Sequence, residues 1–296
     1  MHPYLIDIPL PFSDEPFHLR SFGVLVALGF IFGSWILGHL AQRFGDDPKE
    51  DPDRYASVTM WVLMGLFLGG RLMYVFVEVA KYLSADRAGM IGEQFINDPL
   101  SIFYVWQGGL VMYGGLTGCI IGGLIRARQL GLRPQHALDL GLTAGCFGQA
   151  VGRIGCFLVG DDYGQRVPEH LRSLPFPITC EVPKPLPPGS LFGVHNMGET
   201  LWATQLWMTI NAALLGLFAL WLLSKQRWSG QVTACLLILY PIGRYFVEEF
   251  RGDSVRGLWF NGFMSTSQLI SLTAFPFGLF LLWRGNRRHR ALTAKA

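Results

Sequence analysis

Seven mostly apolar stretches alternate with short polar segments along the 296 residues. They run Phe22–Leu40, Val58–Ala80, Ile102–Ile125, Ala137–Gly160, Leu201–Leu223, Gln231–Phe250 and Leu258–Trp283. Each approaches or exceeds the roughly 20 residues that a helix needs to cross a bilayer. The pattern predicts an all-α polytopic membrane protein with seven transmembrane helices, forming a single integral membrane domain over 1–296. Residues 161–200, between helices four and five, carry Pro183, Pro185, Pro187 and Pro188. Proline at that density excludes a long helix and predicts a small head outside the membrane.

Seven spans place the termini on opposite sides, and the Lys/Arg bias then sets the orientation. With the N-terminus outside, thirteen basic residues fall in the inner segments and eight in the outer ones. The expected arrangement is N-terminus outside and C-terminus cytoplasmic, with the head extracytoplasmic. Residues 1–20 read as an interfacial start, with no cleavable signal peptide.

Glycines refine the packing. Gly114, Gly118 and Gly122 recur four apart, as do Gly141/Gly145 and Gly148/Gly152. Such stripes let helices approach closely in lipid. Gly108-Gly109 and Gly114-Gly115 weaken the third span, so a break or re-entrant loop is expected at 107–115.

Composition changes the picture little. Half the chain is hydrophobic, 15% is charged and the formal net charge is +3. Bulk charge gives no reason to expect a nucleic-acid partner. The five cysteines form no CxxC pair, the seven histidines show no metal spacing, and no phosphate loop or nucleophile elbow stands in a suitable context.

The candidate chemistry lies in three arginines within apolar spans: Arg71, Arg153 and Arg244. A charge there is costly and demands a reason. Arg71 has Glu78 two helical turns on, so a buried ion pair or interfacial anchor competes with a functional role. Arg153 and Arg244 both lie toward the outer ends of their helices. Glu248 follows Arg244 at i+4, on the same face. Two guanidiniums from different helices suit a phosphodiester, which they can clamp bidentately and stabilise as it leaves. Against this, Arg153 could simply pair with Glu248 or an aspartate as structural glue. Tyr113 is either an interfacial anchor or a proton acceptor. Asp161 and Asp162 mark the membrane exit, and either could orient an arginine. Cys156 reads as an apolar filler, and His195 is a remote candidate in the head.

Gly152-Arg153-Ile154-Gly155-Cys156-Phe157, with Asp161, Tyr163 and Gly164 beyond, resembles the signature of the prolipoprotein diacylglyceryl transferase family. Phe67–Arg71, Trp106–Leu116 with Gln107 and Tyr113, and Tyr240–Glu248 agree as well, in the same order. The resemblance covers nearly the whole chain except the head. It implies transfer of the diacylglyceryl group of phosphatidylglycerol to the cysteine thiol in the lipobox of a prolipoprotein signal peptide. A thioether forms and glycerol phosphate leaves, with no metal or organic cofactor. The implied location is the bacterial cytoplasmic (inner) membrane, and the partners are membrane lipid and precursor proteins. Residue by residue, the resemblance implies catalytic roles for Tyr113, Arg153, Arg244 and Glu248. It implies substrate contacts for Arg153, Arg244, Asp161, Gly164, Tyr240 and Gln107, and Asp139 also matches. Tyr113 stands where many members have histidine, Cys156 replaces an asparagine, and Phe22 replaces a tyrosine. Trp202–Trp207 resembles a stretch that usually begins His-Pro. Two other readings stay open: a transporter or channel for an anionic solute, which also uses intramembrane arginine, and, from Phe22 and Trp202, a lipid-binding homologue without turnover.

Overall fold

A computed structural model describes residues 1–9, 16–84, 91–104, 108–253, 257–259 and 263–294. The chain forms two compact units, one of residues 1–40 with 138–296 and the other of residues 41–137. Eight α-helices occur among the described residues: α1 (Ser21–Phe44), α2 (Asp51–Ser84), α3 (Ile91–Asn97), α4 (Met112–Gln129), α5 (Pro134–Val159), α6 (Thr204–Leu223), α7 (Gln231–Glu249) and α8 (Thr266–Thr293). Five of them, α1, α2, α5, α6 and α8, are long and apolar enough to cross a membrane. Large apolar side chains such as Ile31, Trp35, Leu68, Phe76, Leu214 and Phe246 point outward, as expected of helices solvated by lipid.

Helix ends depart from the apolar runs where polar residues supply caps. Between the first two apolar stretches α1 runs on to Phe44 and α2 already begins at Asp51. Asp47 accepts the N–H groups of Lys49 and Glu50, and α2 starts at Asp51 with two acids in its first turn. The seventh apolar stretch does not begin as helix at Leu258. A hairpin of β5 (Leu258–Trp259) and β6 (Met264–Ser265) comes first, and α8 starts behind a capping box of Ser265 and Gln268. The N-terminal segment likewise forms a hairpin, β1 (Tyr4–Ile8) with β2 (Phe17–Arg20).

In the second unit α2 and α4 pack through glycine. A Cβ added at Gly65, Gly69, Gly114 or Gly118 would collide with the facing helix, mostly with its backbone. The expected break in the third span is present but lies nearer the start of the span than 107–115. A 3-10 turn covers Pro99–Phe103, Gly108 and Gly109 take φ of +84° and +79°, and α4 begins at Met112, leaving Gly114-Gly115 helical. Arg71 explains how this irregular backbone is tolerated. It pairs with no acid among the described residues, and Glu78 instead binds Lys81. Its guanidinium donates to the carbonyls of Ser101, Ile102 and Gly108 at 2.8, 2.7 and 2.6 Å. Carbonyls released from helical pairing need donors, and one arginine meets three of them.

In the first unit α1 meets α5 at Gly29, Gly33 and Gly148. A Cβ added at Gly141 or Gly145 would meet nothing within 4 Å, so neither glycine marks a close helix approach. Helices α6, α7 and α8 pack in sequence, with Met208, Ala212, Ala219, Val232 and Ala234 buried. Buried Asp139, near the start of α5, pins α7. Its Oδ1 accepts the backbone N–H and hydroxyl of Thr233, both at 2.7 Å. Its Oδ2 accepts the N–H of Gly230 at 2.6 Å and the Gln226 amide at 2.5 Å. The segment at 161–200 is a compact head with no long helix. Strands β3 (Thr179–Glu181) and β4 (Thr200–Trp202) pair antiparallel over a core of Cys180, Val182, Phe192, Leu201 and Ala203.

Candidate functional site

Most of the candidate residues belong to the first unit, where α5, α7 and the turn after α5 supply them. Gly160 ends α5 with φ of +79°, its N–H and that of Asp161 both closing on the Cys156 carbonyl. Asp162 then takes φ of +53°, a left-handed conformation that aspartate tolerates better than most residues. This reversal returns the Asp162 carboxylate to Arg153, nine residues earlier, and the two form an ion pair. Thr204 and Gln205, at the start of α6, hold the turn by donating to the carbonyls of Asp162 and Asp161, both at 2.8 Å.

A second backbone crossing brings α7 to the same place. Gln165 donates to the Phe250 carbonyl at 2.7 Å, and Gly252 donates to that of Tyr163 at 2.9 Å. A side chain at Gly252 would strike Gly164 and Gln165, and one at Gly164 would strike Trp202. Glycine is therefore required for the two segments to touch. The contact seats Arg251 beside Asp162, with Arg251 Nη2 to Asp162 Oδ1 at 2.6 Å.

From Arg251 the network runs back along α7. Arg251 Nη1 reaches Glu248 Oε2 at 3.4 Å, and the same oxygen accepts from Arg244 Nη2 at 2.7 Å. Arg244 also donates to Ser267 Oγ on α8 at 2.9 Å. Asp253 receives Arg251 in a fork, at 2.8 and 2.7 Å. Arg153 and Arg244 are thus joined through Asp162, Arg251 and Glu248. Side-chain exposure is 13% for Arg153, 9% for Arg244 and Arg251, and 1% for Glu248. Among the described residues three arginines meet three carboxylates here.

The carboxylates behave differently. Burial works against the charge of Asp162, but the guanidiniums of Arg153 and Arg251 outweigh it and hold its carboxyl below the usual range. Burial, and then repulsion from Asp162, pushes Asp161 up. Burial opposes the charge of Arg251, yet the Asp253 hydrogen bonds and the charge of Asp162 raise its affinity for the proton.

Periodicity explains the register. Gln149 and Arg153 are four apart on α5, and Tyr240 and Arg244 are four apart on α7. Gln149 Nε2 donates to the Tyr240 hydroxyl at 3.0 Å, so the two stripes meet. The structure brings Tyr240, Arg153, Arg244 and Glu248 together. Asp161 lies in the same turn, but Asp162 makes the ion pair, while Asp161 Oδ1 accepts the N–H of Asp162 at 2.9 Å. Gly164 serves the backbone crossing. Cys156 is buried, with its sulfur 3.9 Å from Arg153 Nη1. Tyr113 lies in the first turn of α4, in the second unit. Gln107 falls outside the described residues. Sequence reasoning missed Arg251 and Asp253. One signal was available: Arg244, Glu248 and Arg251 follow i, i+4, i+7, one continuous face extended past the last apolar residue.

The network can present two guanidiniums from different helices to an anionic group with two unesterified oxygens, such as a phosphodiester. Among the described residues no cluster of His, Cys, Asp and Glu could hold a metal ion.

Comparison with known proteins places this geometry in context. The family model described as prolipoprotein diacylglyceryl transferase matches residues 9–284. A phosphatidylglycerol–prolipoprotein diacylglyceryl transferase of Pasteurella multocida is 29% identical, over 93% of this chain and 90% of its own. A protein of the same name from Rhodospirillum centenum is 27% identical, over 94% and 93%. Another from Vibrio vulnificus is 28% identical, over 95% and 93%.

Proposed function

The chain belongs to the prolipoprotein diacylglyceryl transferase family, and we propose that its paired arginines bind the phosphate of phosphatidylglycerol for transfer to a precursor protein. The substrate thiol attacks the glycerol carbon that bears the phosphate. A carbon–sulfur bond forms, the carbon–oxygen bond to phosphate breaks, and glycerol phosphate leaves carrying the extra negative charge. Arg153 and Arg244 stabilise that charge in a site largely shielded from water. Glu248 orients Arg244, and Asp162 orients Arg153. The thiol proton requires an acceptor, a role assigned to Tyr113 on its motif match alone. Asp161, Gly164, Tyr240 and Gln107 complete the set on the same ground.

The helices α4 and α7, with 18 and 19 residues, are counted as spans beside the five longer ones. This gives seven, with the N-terminus outside and the C-terminus in the cytoplasm of a bacterium, and the head beyond the outer face of the inner membrane. The lipobox cysteine of a secreted precursor emerges on that side.

The observation that carries the reading is the single buried network joining Arg153 of α5 to Arg244 of α7. Purified protein mixed with phosphatidylglycerol and a lipobox peptide should yield peptide heavier by one diacylglyceryl group. Absence of product, under conditions where the Pasteurella multocida relative gives it, would refute the proposal.

A further inference from the structure

Helix α8 carries a second set of arginines, at the end away from the buried network. Arg244 donates to Ser267 in the first turn of α8, and Arg284 lies about 25 Å further along the helix axis. Phe280, Trp283, Arg284, Arg287, Arg288 and Ala291 line a groove of about 420 Å³ there. They recur at i, i+3, i+4, i+7, i+8 and i+11, so they share one face of one helix. It is the outward face, since Phe277, Phe280 and Trp283 are exposed. The apolar stripe that lipid solvates therefore passes directly into a stripe of guanidiniums.

Helix length sets the depth of that change. The 28 residues of α8 span about 42 Å, and the hydrocarbon core of a bilayer takes about 30 Å. Counted from Thr266, the core ends close to Arg284. Trp283 then stands at the interface, where tryptophan is favoured. The end of α6 marks the same level: Trp221 is exposed, and Lys225 Nζ lies 4.8 Å from its ring centroid. Trp228, in the turn between α6 and α7, fixes the rotation of α8. Its ring lies against Gly285, where a Cβ would strike it, and its Nε1 donates to Asn286 Oδ1 at 3.0 Å. Gly285 and Asn286 are thus turned to the bundle, and the arginine face is turned away from it.

These arginines are not engaged by acids. Helix α8 contains no Asp or Glu, and neither does the 224–231 segment. Among the described residues Arg284, Arg287 and Arg288 make no ion pair, and Arg287 lies over the Trp283 ring, 5.5 Å from its centroid. Guanidinium forks at headgroup depth, continuous with exposed aromatic rings, suit a ligand that is anionic at one end and apolar at the other.

We propose that the C-terminal end of α8 binds an anionic phospholipid of the surrounding leaflet, its phosphate on Arg284, Arg287 and Arg288 and its acyl chains on Phe277, Phe280 and Trp283. This site is separate from the Arg153–Arg244 network and takes no part in transfer, so it stands or falls independently of the function proposed above.

Tryptophan quenching tests it. The protein is reconstituted in phosphatidylcholine bilayers to which a lipid with brominated chains is added, either phosphatidylserine or phosphatidylcholine. The difference between the unsubstituted protein and Trp283→Phe isolates the Trp283 signal. Each basic residue at the surface contributes about fivefold to anionic-lipid preference. Brominated phosphatidylserine should therefore be preferred at Trp283 by more than about tenfold, and by no more than about fivefold in R284Q/R288Q, which keeps Arg287 over the ring. R287Q should show an intermediate preference, and high salt should weaken all of them.

Equal quenching of Trp283 by the two lipids in the unsubstituted protein would overturn the inference. So would a preference left unchanged in R284Q/R288Q. Displacement of the lipid by inorganic phosphate at equal concentration would make the groove a site for the free anion and would also overturn it. Transfer to a lipobox peptide should proceed in R284Q/R288Q with unchanged kcat/KM, and a loss beyond the loss of folded protein would refute the separation of the two sites. Should the unsubstituted protein show no transfer, the proposed function falls, and the quenching result still decides this inference.

Discussion

Replacing Asp139 by alanine should destabilise the first unit by several kilocalories per mole without touching the arginine network. Asp139 is fully buried, and its two oxygens accept four hydrogen bonds. Two donors are backbone N–H groups at the start of α7, those of Gly230 and Thr233. Gly230 has no side chain with which to cap the helix, so Asp139 supplies the cap from α5. The Thr233 hydroxyl and the Gln226 amide can rotate toward other partners, but the two backbone donors cannot. Each buried donor without an acceptor costs about 1–3 kcal/mol. Taking about 1.5–2 kcal/mol for each fixed donor, the loss is about 3–4 kcal/mol. For a chain of this size each kilocalorie lowers the thermal midpoint by about 2–4 °C. Intrinsic tryptophan fluorescence in detergent should therefore show the midpoint of D139A about 6–16 °C lower. Asp139→Asn should lie between the two proteins. Its oxygen can still serve Thr233, while its amide N–H₂ would confront the donors of Gly230 and Gln226. A D139A midpoint within about 2 °C of the unsubstituted protein would refute the reasoning, since that shift is far below the cost of two orphaned donors. So would a loss of transfer exceeding the loss of folded protein, because it would give Asp139 a part in the chemistry.

Two further outcomes are expected. Arg153→Gln and Arg244→Gln should each lower kcat/KM for transfer by about a hundredfold or more, the usual effect of removing one donor aimed at developing charge. The lysine variants should recover only part of it, because an ammonium cannot present a planar fork, and the peptide-transfer assay measures both. Asp161→Asn should raise the thermal midpoint at pH 7 but not at pH 3.5. Burial raises the Asp161 carboxyl above its unfolded value, so the folded state binds the extra proton and loses stability as pH rises through that window. Below the unfolded value of about 3.9 the penalty is absent, and an unchanged or lower midpoint at pH 7 would contradict this.

Five of the spans were legible because lipid forces apolar residues onto the outside of a helix, and the sequence therefore shows them as runs. Helix ends were less so. The capping groups that start α2 and α8, Asp47 and Ser265, are small polar residues that look like loop. The break before α4 was visible in its glycines, but not what sustains it. Arg71 could be read as the partner of Glu78, since spacing along one helix shows only intrahelical neighbours. Its actual acceptors are carbonyls some thirty residues on, exposed only once the third span departs from helix.

The site divides along the same line. Arg153 and Arg244 stood out because a charge inside an apolar run has no ordinary explanation. Arg251 and Asp253 escaped notice because they lie just past the run, where charges are common. Burial at that position is created by the fold and not by composition. The head's backbone crosses that of the α7 exit at Gly164 and Gly252, and this covers residues that the hydropathy pattern assigns to water. Among the described residues three arginines and three acids meet at that crossing, with Asp162 and Glu248 each touching two arginines.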